Sequence, residues 1–156
     1  MGSRPDGSKQ APAVKVLGCL KKIAAVPPDA PFWVMLELHV GKIPALIDTG
    51  AQFSCVPSDV PEFLHLIGEP CTFTSFSVTC LLADGRRCKV TDAVKLHAKL
   101  LSFSWDHEFK VLKEGLFPAI LGLDFLDRTK MLLDVASRKF GFGFAPGYSG
   151  TFFGVE

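Results

Sequence analysis

The stretch PALIDTGAQFSCVP, residues 44–57, decides how the rest of the chain is read. Leu46 and Ile47 run straight into Asp48, and Asp48 into Thr49, Gly50 and Ala51. Two aliphatic residues before a carboxylate predict a strand that ends at Asp48, with Thr49-Gly50 turning the chain. A buried carboxylate without a partner is expensive. Asp48 therefore either reaches the surface in an ordinary turn, accepting local backbone N–H bonds, or its placement serves chemistry. Glycine tolerates backbone conformations that other residues do not. The threonine hydroxyl can donate and accept within the loop. Together they make a rigid platform that presents one carboxylate.

One carboxylate does little alone. Two brought close together cannot both ionise, so they share a proton. One then acts as general base on a water while the other, protonated, donates to a peptide carbonyl oxygen. Asp-Thr-Gly or Asp-Ser-Gly occurs once in the chain. A pair therefore requires a second copy related by a two-fold axis, and a homodimer is a corollary of an enzymatic reading.

Working outward, residues 32–40 (FWVMLELHV) alternate, with Glu37 and His39 on one side and Leu36, Leu38 and Val40 on the other. Gly41-Lys42 is expected to turn the chain into a returning strand, IPALID, that ends at Asp48. Ser58 is the expected cap of a short helix over SDVPEFLHLIG. Strand-like segments follow at 71–83, 86–100, 103–112 and 118–122, with Asp84-Gly85 as a hairpin signal between the first two. LDFLDRTKM (123–131) is expected to be a helix of about two turns, and 130–144 a hairpin turning near Ser137-Arg138. The Gly- and Phe-rich end, from 141 on, has no clear assignment from pattern alone. The class is mostly β, a small closed barrel-like domain with one or two short helices.

The chain divides into an N-terminal extension or linker over 1–30, a folded domain over 31–145 and a tail over 146–156. Pro27-Pro28 marks the first break. Its 156 residues suffice for one domain with a real core, and 48% hydrophobic against 21% charged residues argues against disorder. A net charge of +1 gives no reason to expect nucleic acid as a partner. No apolar run has the length of a membrane span, and residues 1–13 lack the apolar segment of a signal peptide. The five cysteines, at 19, 55, 71, 80 and 88, include no CxxC pair. An odd count without a secretion signal points to reduced thiols in an intracellular, cytoplasmic setting. Cys80 and Cys88 lie symmetrically about Asp84 and would face each other on the hairpin, as two thiols rather than a disulfide. The four histidines, at 39, 65, 97 and 107, have no metal-ligand spacing and read as structural or exposed. Asp124, Asp127 and Asp134 are expected to cap or decorate the late helix and hairpin.

Three elements in order carry a family resemblance: ALIDTGA (45–51), the hairpin LLADGRRCKV (81–90) and AILGLDFL (119–126). Together they resemble the retropepsins, the aspartic proteases of retroviruses and LTR retroelements, and the LGLDFL form is most similar to gypsy-type elements and their domesticated relatives. The resemblance covers about residues 31–145. It implies an acid-protease fold working as a homodimer, an aspartic endopeptidase in which an Asp48 pair activates water. Asp48 would be the catalytic carboxylate. Thr49 would hydrogen-bond across the dimer axis, and Gly50 would complete the loop. Ala51 would line the cleft, and Ala83, Asp84 and Gly85 would lie at the tip of a flap over the substrate. Ile120, Leu121 and Gly122 would brace the loop. The substrate would be an extended peptide with apolar residues flanking the cut, in the family often part of the enzyme's own polyprotein. No metal or organic cofactor is implied. There are departures: Gln52 and Phe53 stand where many retroviral enzymes carry acidic residues, and Leu123-Asp124 where many carry an arginine. They leave the chemistry intact and bear on substrate preference. The rival readings are a catalytically silent retroelement-derived dimer that binds peptides without cutting, and an unrelated small β-barrel that binds an apolar ligand as a monomer.

Overall fold

Alternation becomes strand wherever one face can be buried. In β1 (Trp33–Leu38), Val34, Leu36 and Leu38 turn inward while Met35 and Glu37 face out. β1 pairs antiparallel with β2 (Gly41–Ile47), from Trp33 opposite Leu46 to Leu38 opposite Gly41. The connection therefore falls on His39-Val40 rather than on Gly41-Lys42. Gly41 opens β2 at φ +111°, a conformation that tight turn requires and that glycine adopts without a steric penalty. A computed structural model describes residues 32–81, 87–113 and 119–152.

After β2 come β3 (Cys55–Pro57), α1 (Asp59–Leu66), β4 (Thr72–Leu81), β5 (Arg87–Leu100), β6 (Phe103–Leu112), β7 (Ala119–Leu121), α2 (Leu123–Thr129), β8 (Met131–Asp134), β9 (Lys139–Phe142) and β10 (Ala145–Thr151). Strands run in the order β1-β2-β7-β3-β6-β5, and Glu37 of β1 pairs with Lys99 of β5 to close the ring. The result is a six-stranded barrel with β4 attached outside β5. β7 lies parallel to β2 and antiparallel to β3, and β3 lies parallel to β6. Leu36, Ala45, Val56, Phe109, Leu121 and Phe125 are 0% exposed and fill the interior.

β5 is long, with 14 residues. It pairs with β6 from Ala93 to Leu100 and with β4 from Arg87 to Lys95, so its first residues, Arg87–Asp92, have β4 beside them and not β6. The β4–β5 hairpin thus extends past the barrel wall. Val78 and Val90 at its base pack with Cys55, Leu112 and Ile120 in a second, smaller apolar cluster.

Two local expectations need correction. Ser58 occupies the position before α1 but its hydroxyl makes no capping bond. Its backbone is already helical (φ −61°, ψ −21°) rather than extended, as a capping residue's usually is. Cys55–Pro57 forms a strand that the sequence does not announce, because three residues between a loop and a helix carry no period. The final hairpin forms as expected, β8 with β9, with Asp134 accepting the Ser137 N–H at 3.1 Å in its turn. β10 adds to β9, so strand structure continues beyond residue 145. The aromatic content is used here: Phe103 and Trp105 of β6 meet Phe142 and Phe144 edge-on or tilted, at ring separations of 5.0–6.4 Å.

Candidate active site

Asp48 is the first residue after β2. Its N–H donates to Leu121 O of β7 at 3.1 Å, so the end of the β2–β7 pair fixes its backbone. Its carboxylate bends back on its own loop: Oδ1 accepts the Gly50 N–H at 2.9 Å, and Asp48 O accepts the Ala51 N–H at 3.2 Å. An aspartate side chain that holds the backbone two residues on makes a rigid turn. Asp48 and Ala51 are half-buried, while Thr49 and Gly50 are exposed. The turn therefore presents one carboxylate, with Oδ1 already tied, at the surface of the chain.

The returning arm of this loop, Ala51 to Ser54, lies against the β7–α2 junction. Leu123 N–H donates to Ala51 O at 2.8 Å and Asp124 N–H to Gln52 O at 3.2 Å. Gly122 is where the two segments touch. A Cβ there would sit 2.6 Å from Phe53 O and 2.7 Å from Ala51 O, both backbone atoms, so no larger residue fits without moving the loop. Leu46 and Ile120 are register partners, both half-buried. The structure thus brings Asp48, Thr49, Gly50 and Ala51 together with Ile120, Leu121 and Gly122. Ala83, Asp84 and Gly85 lie outside the described residues, although the hairpin ladder below them is in place, with Cys80 opposite Cys88.

Behind the loop runs a polar chain that the sequence reading missed. Ser54, fully buried, accepts the Gly122 N–H at 3.0 Å and donates its hydroxyl to Asp124 Oδ1 at 2.7 Å. Asp124 Oδ1 also accepts the Phe125 N–H at 2.8 Å, and Oδ2 meets His107 Nε2 at 3.0 Å. Arg128 Nη1 lies 3.2 Å from His107 Nδ1 and also donates to Asp106 O. Arginine can only donate. His107 Nδ1 therefore accepts, and Nε2 carries the proton it gives Asp124. Burial works to raise the Asp124 pKa, but the hydrogen bonds from His107 and Ser54 outweigh it and hold the carboxyl below its ordinary value. The expected role of Asp124 as a decoration of the late helix is thus too small. Asp127 and Asp134 do act locally, toward Lys130 and Ser137.

With this geometry in hand, one solved structure decides the class. The retroviral protease-like domain of Ddi1 from Leishmania major superposes with a TM-score of 0.60 over 80% of this chain and 95% of that one, at 17% identity. The fold is retropepsin-like. EIAV protease complexed with the inhibitor HBY-793 also aligns, with a TM-score of 0.49 at 14% identity, over 66% of this chain and 91% of that one. No family model and no curated protein matches the sequence. The mostly-β class, the closed barrel and the short helices expected from the sequence are thus present.

Elsewhere, a surface pocket between α1, β4, β5 and β6 is lined by His39, Glu69, Cys71, Lys95, His97 and Asp106, among others. His97 Nδ1 binds Asp106 at 2.9 Å there, which keeps the Asp106 carboxyl below its ordinary value. Among the described residues, no group of three His, Cys, Asp or Glu side chains is arranged to hold a metal ion. Among them also, no helix is long and apolar enough to cross a membrane.

Proposed function

We propose that the protein is an aspartic endopeptidase whose catalytic centre is built from the Asp48 carboxylates of two identical chains. The observation that carries this reading is the Asp48 turn itself. On a retropepsin-like barrel, the loop after β2 holds one carboxylate rigidly and half-exposed, and among the described residues no opposite charge and no second acid is bonded to it. Fold alone does not establish chemistry; the placement of this carboxylate supports it.

Paired across a two-fold axis, two such turns bring two carboxylates together that share one proton. The ionised member takes a proton from water as it attacks the peptide carbonyl carbon. The protonated member donates to the carbonyl oxygen, and the proton taken from water passes on to the leaving amine. Thr49, exposed beside Asp48, would bond across the axis and fix the two loops. Gly50 would keep the turn tight. Ala51, with Leu46 and Ile120, would give the cleft an apolar wall, which favours apolar side chains flanking the cut. The β4–β5 hairpin, with Ala83, Asp84 and Gly85 at its tip, would close over an extended peptide by backbone pairing. The chemistry needs no metal. A precursor polyprotein containing this chain is the natural first substrate to try.

The test is cleavage of a diverse peptide mixture, read by mass spectrometry, from acidic to neutral pH at high protein concentration. Native protein should cut and Asp48→Asn should not, while both give the same circular dichroism. Equal cutting by both would contradict the reading. Peptide bound by both but cut by neither would return the silent binding module.

A further inference from the structure

We propose that His107 and Asp124 are positioning residues for the Asp48 loop, acting through the buried hydroxyl of Ser54. The kinetic consequence rests on the endopeptidase reading above; the structural one does not. Ser54 is the hinge point. It ends the loop that starts at Asp48, and its oxygen receives the Gly122 N–H while its proton goes to Asp124. Asp124 in turn has one oxygen committed to Ser54 and the Phe125 N–H, and the other to His107. His107 is 5% exposed and wedged edge-on against Phe109 and Phe125, at 5.2 Å from each. A ring so packed cannot swing, so it fixes the carboxylate, and the carboxylate fixes the serine. The chain runs from β6 through α2 to the loop, joining parts of the barrel that are distant in sequence.

Stability alone does not account for it. A half-buried carboxylate with a buried imidazole and hydroxyl loses hydration, and apolar residues of similar size often hold elements together as well or better. Directional bonds do what apolar packing does not: they set one geometry. Two carboxylates must meet within hydrogen-bond distance to share a proton, and a displacement of about 1 Å is enough to cost roughly a hundredfold in rate. Support behind the reacting group is what holds such tolerances.

Three variants separate positioning from mere stability. Ser54→Ala removes the central hydroxyl. His107→Phe keeps a ring between Phe109 and Phe125 but removes the donor to Asp124. His107→Gln loses the ring but places an amide N–H near the same point. Per folded dimer, Ser54→Ala and His107→Phe should lower kcat about tenfold or more with KM changed less than about threefold. Their acid and alkaline limbs of kcat/KM should move toward each other, because coupling between two carboxylates weakens as they separate. His107→Gln should stay within about threefold of native kcat, rescued by its donor. Variants that only melt earlier, with kcat and both limbs unchanged, would overturn the proposal. So would a His107→Gln as impaired as His107→Phe. Should the native protein not cut at all, the endopeptidase reading fails instead, and amide exchange decides the positioning claim. Exchange at Ala51, Leu123 and Asp124 should quicken about tenfold in Ser54→Ala and in His107→Phe while the β1–β2 ladder keeps its protection. Unchanged exchange at those three amides would overturn it.

Discussion

At the scale of single residues, the loop depends on what cannot be changed. Gly122→Ala would drive a methyl group into Phe53 O and Ala51 O at 2.6 and 2.7 Å. It is expected to destabilise the fold by about 1–3 kcal/mol, as other overpacked sites do, and to abolish cleavage by moving the loop. Urea unfolding and the peptide assay check both. Asp124 gives a pH signature. Its carboxyl is held below the ordinary value of 3.8, so its contribution to stability is complete above that value. The contribution is lost as pH falls through the lower native value. Asp124→Asn should therefore lose less stability than native protein as pH falls below that ordinary value, measured by thermal unfolding. The Asp48-Thr49-Gly50 turn is legible in sequence because its hydrogen bond spans two residues. The Ser54–Asp124 bond spans 70, and nothing local around either residue announces the other. His107 is equally silent: in an alternating strand, a histidine that faces a carboxylate and one that faces water look the same.

At the scale of elements, the helix after β7 is a brace for the loop. Phe125 is fully buried and meets Trp105 and His107 edge-on, at 5.6 and 5.2 Å. Phe125→Ala should cost about 3–5 kcal/mol in chemical denaturation, the range for a large buried ring. Long strands were readable because period two persists through them when one face is buried. β3 was not, and β10 could not be assigned, for different reasons. β3 has three residues, too few for a period. β10, Ala-Pro-Gly-Tyr-Ser-Gly-Thr, is rich in residues that strands disfavour, and it is a strand because β9 pairs with it. Tertiary pairing overrides weak local preference there.

At the scale of the whole molecule, closure of the barrel joins strands far apart in the chain, as when Glu37 meets Lys99. Hydrophobic alternation fixes which face is buried, not which strand lies beside which. The order β1-β2-β7-β3-β6-β5 is not written in that alternation; the three ordered motifs implied the fold through their resemblance, and the structure bears out that fold. On the proposed endopeptidase reading, each chain carries half of a site. Specific activity should rise with protein concentration and follow the dimer population seen by sedimentation.

The most direct measurement mixes chains. Inactive Asp48→Asn protein is added to a fixed amount of native protein, subunits are allowed to exchange, and peptide cleavage is followed. If two copies build one centre, random pairing should cut the activity to roughly half at equal amounts and to roughly a quarter at threefold excess of the variant. Activity that stays constant however much Asp48→Asn is added would mean that each chain acts alone, and would contradict a catalytic pair shared between two Asp48 residues.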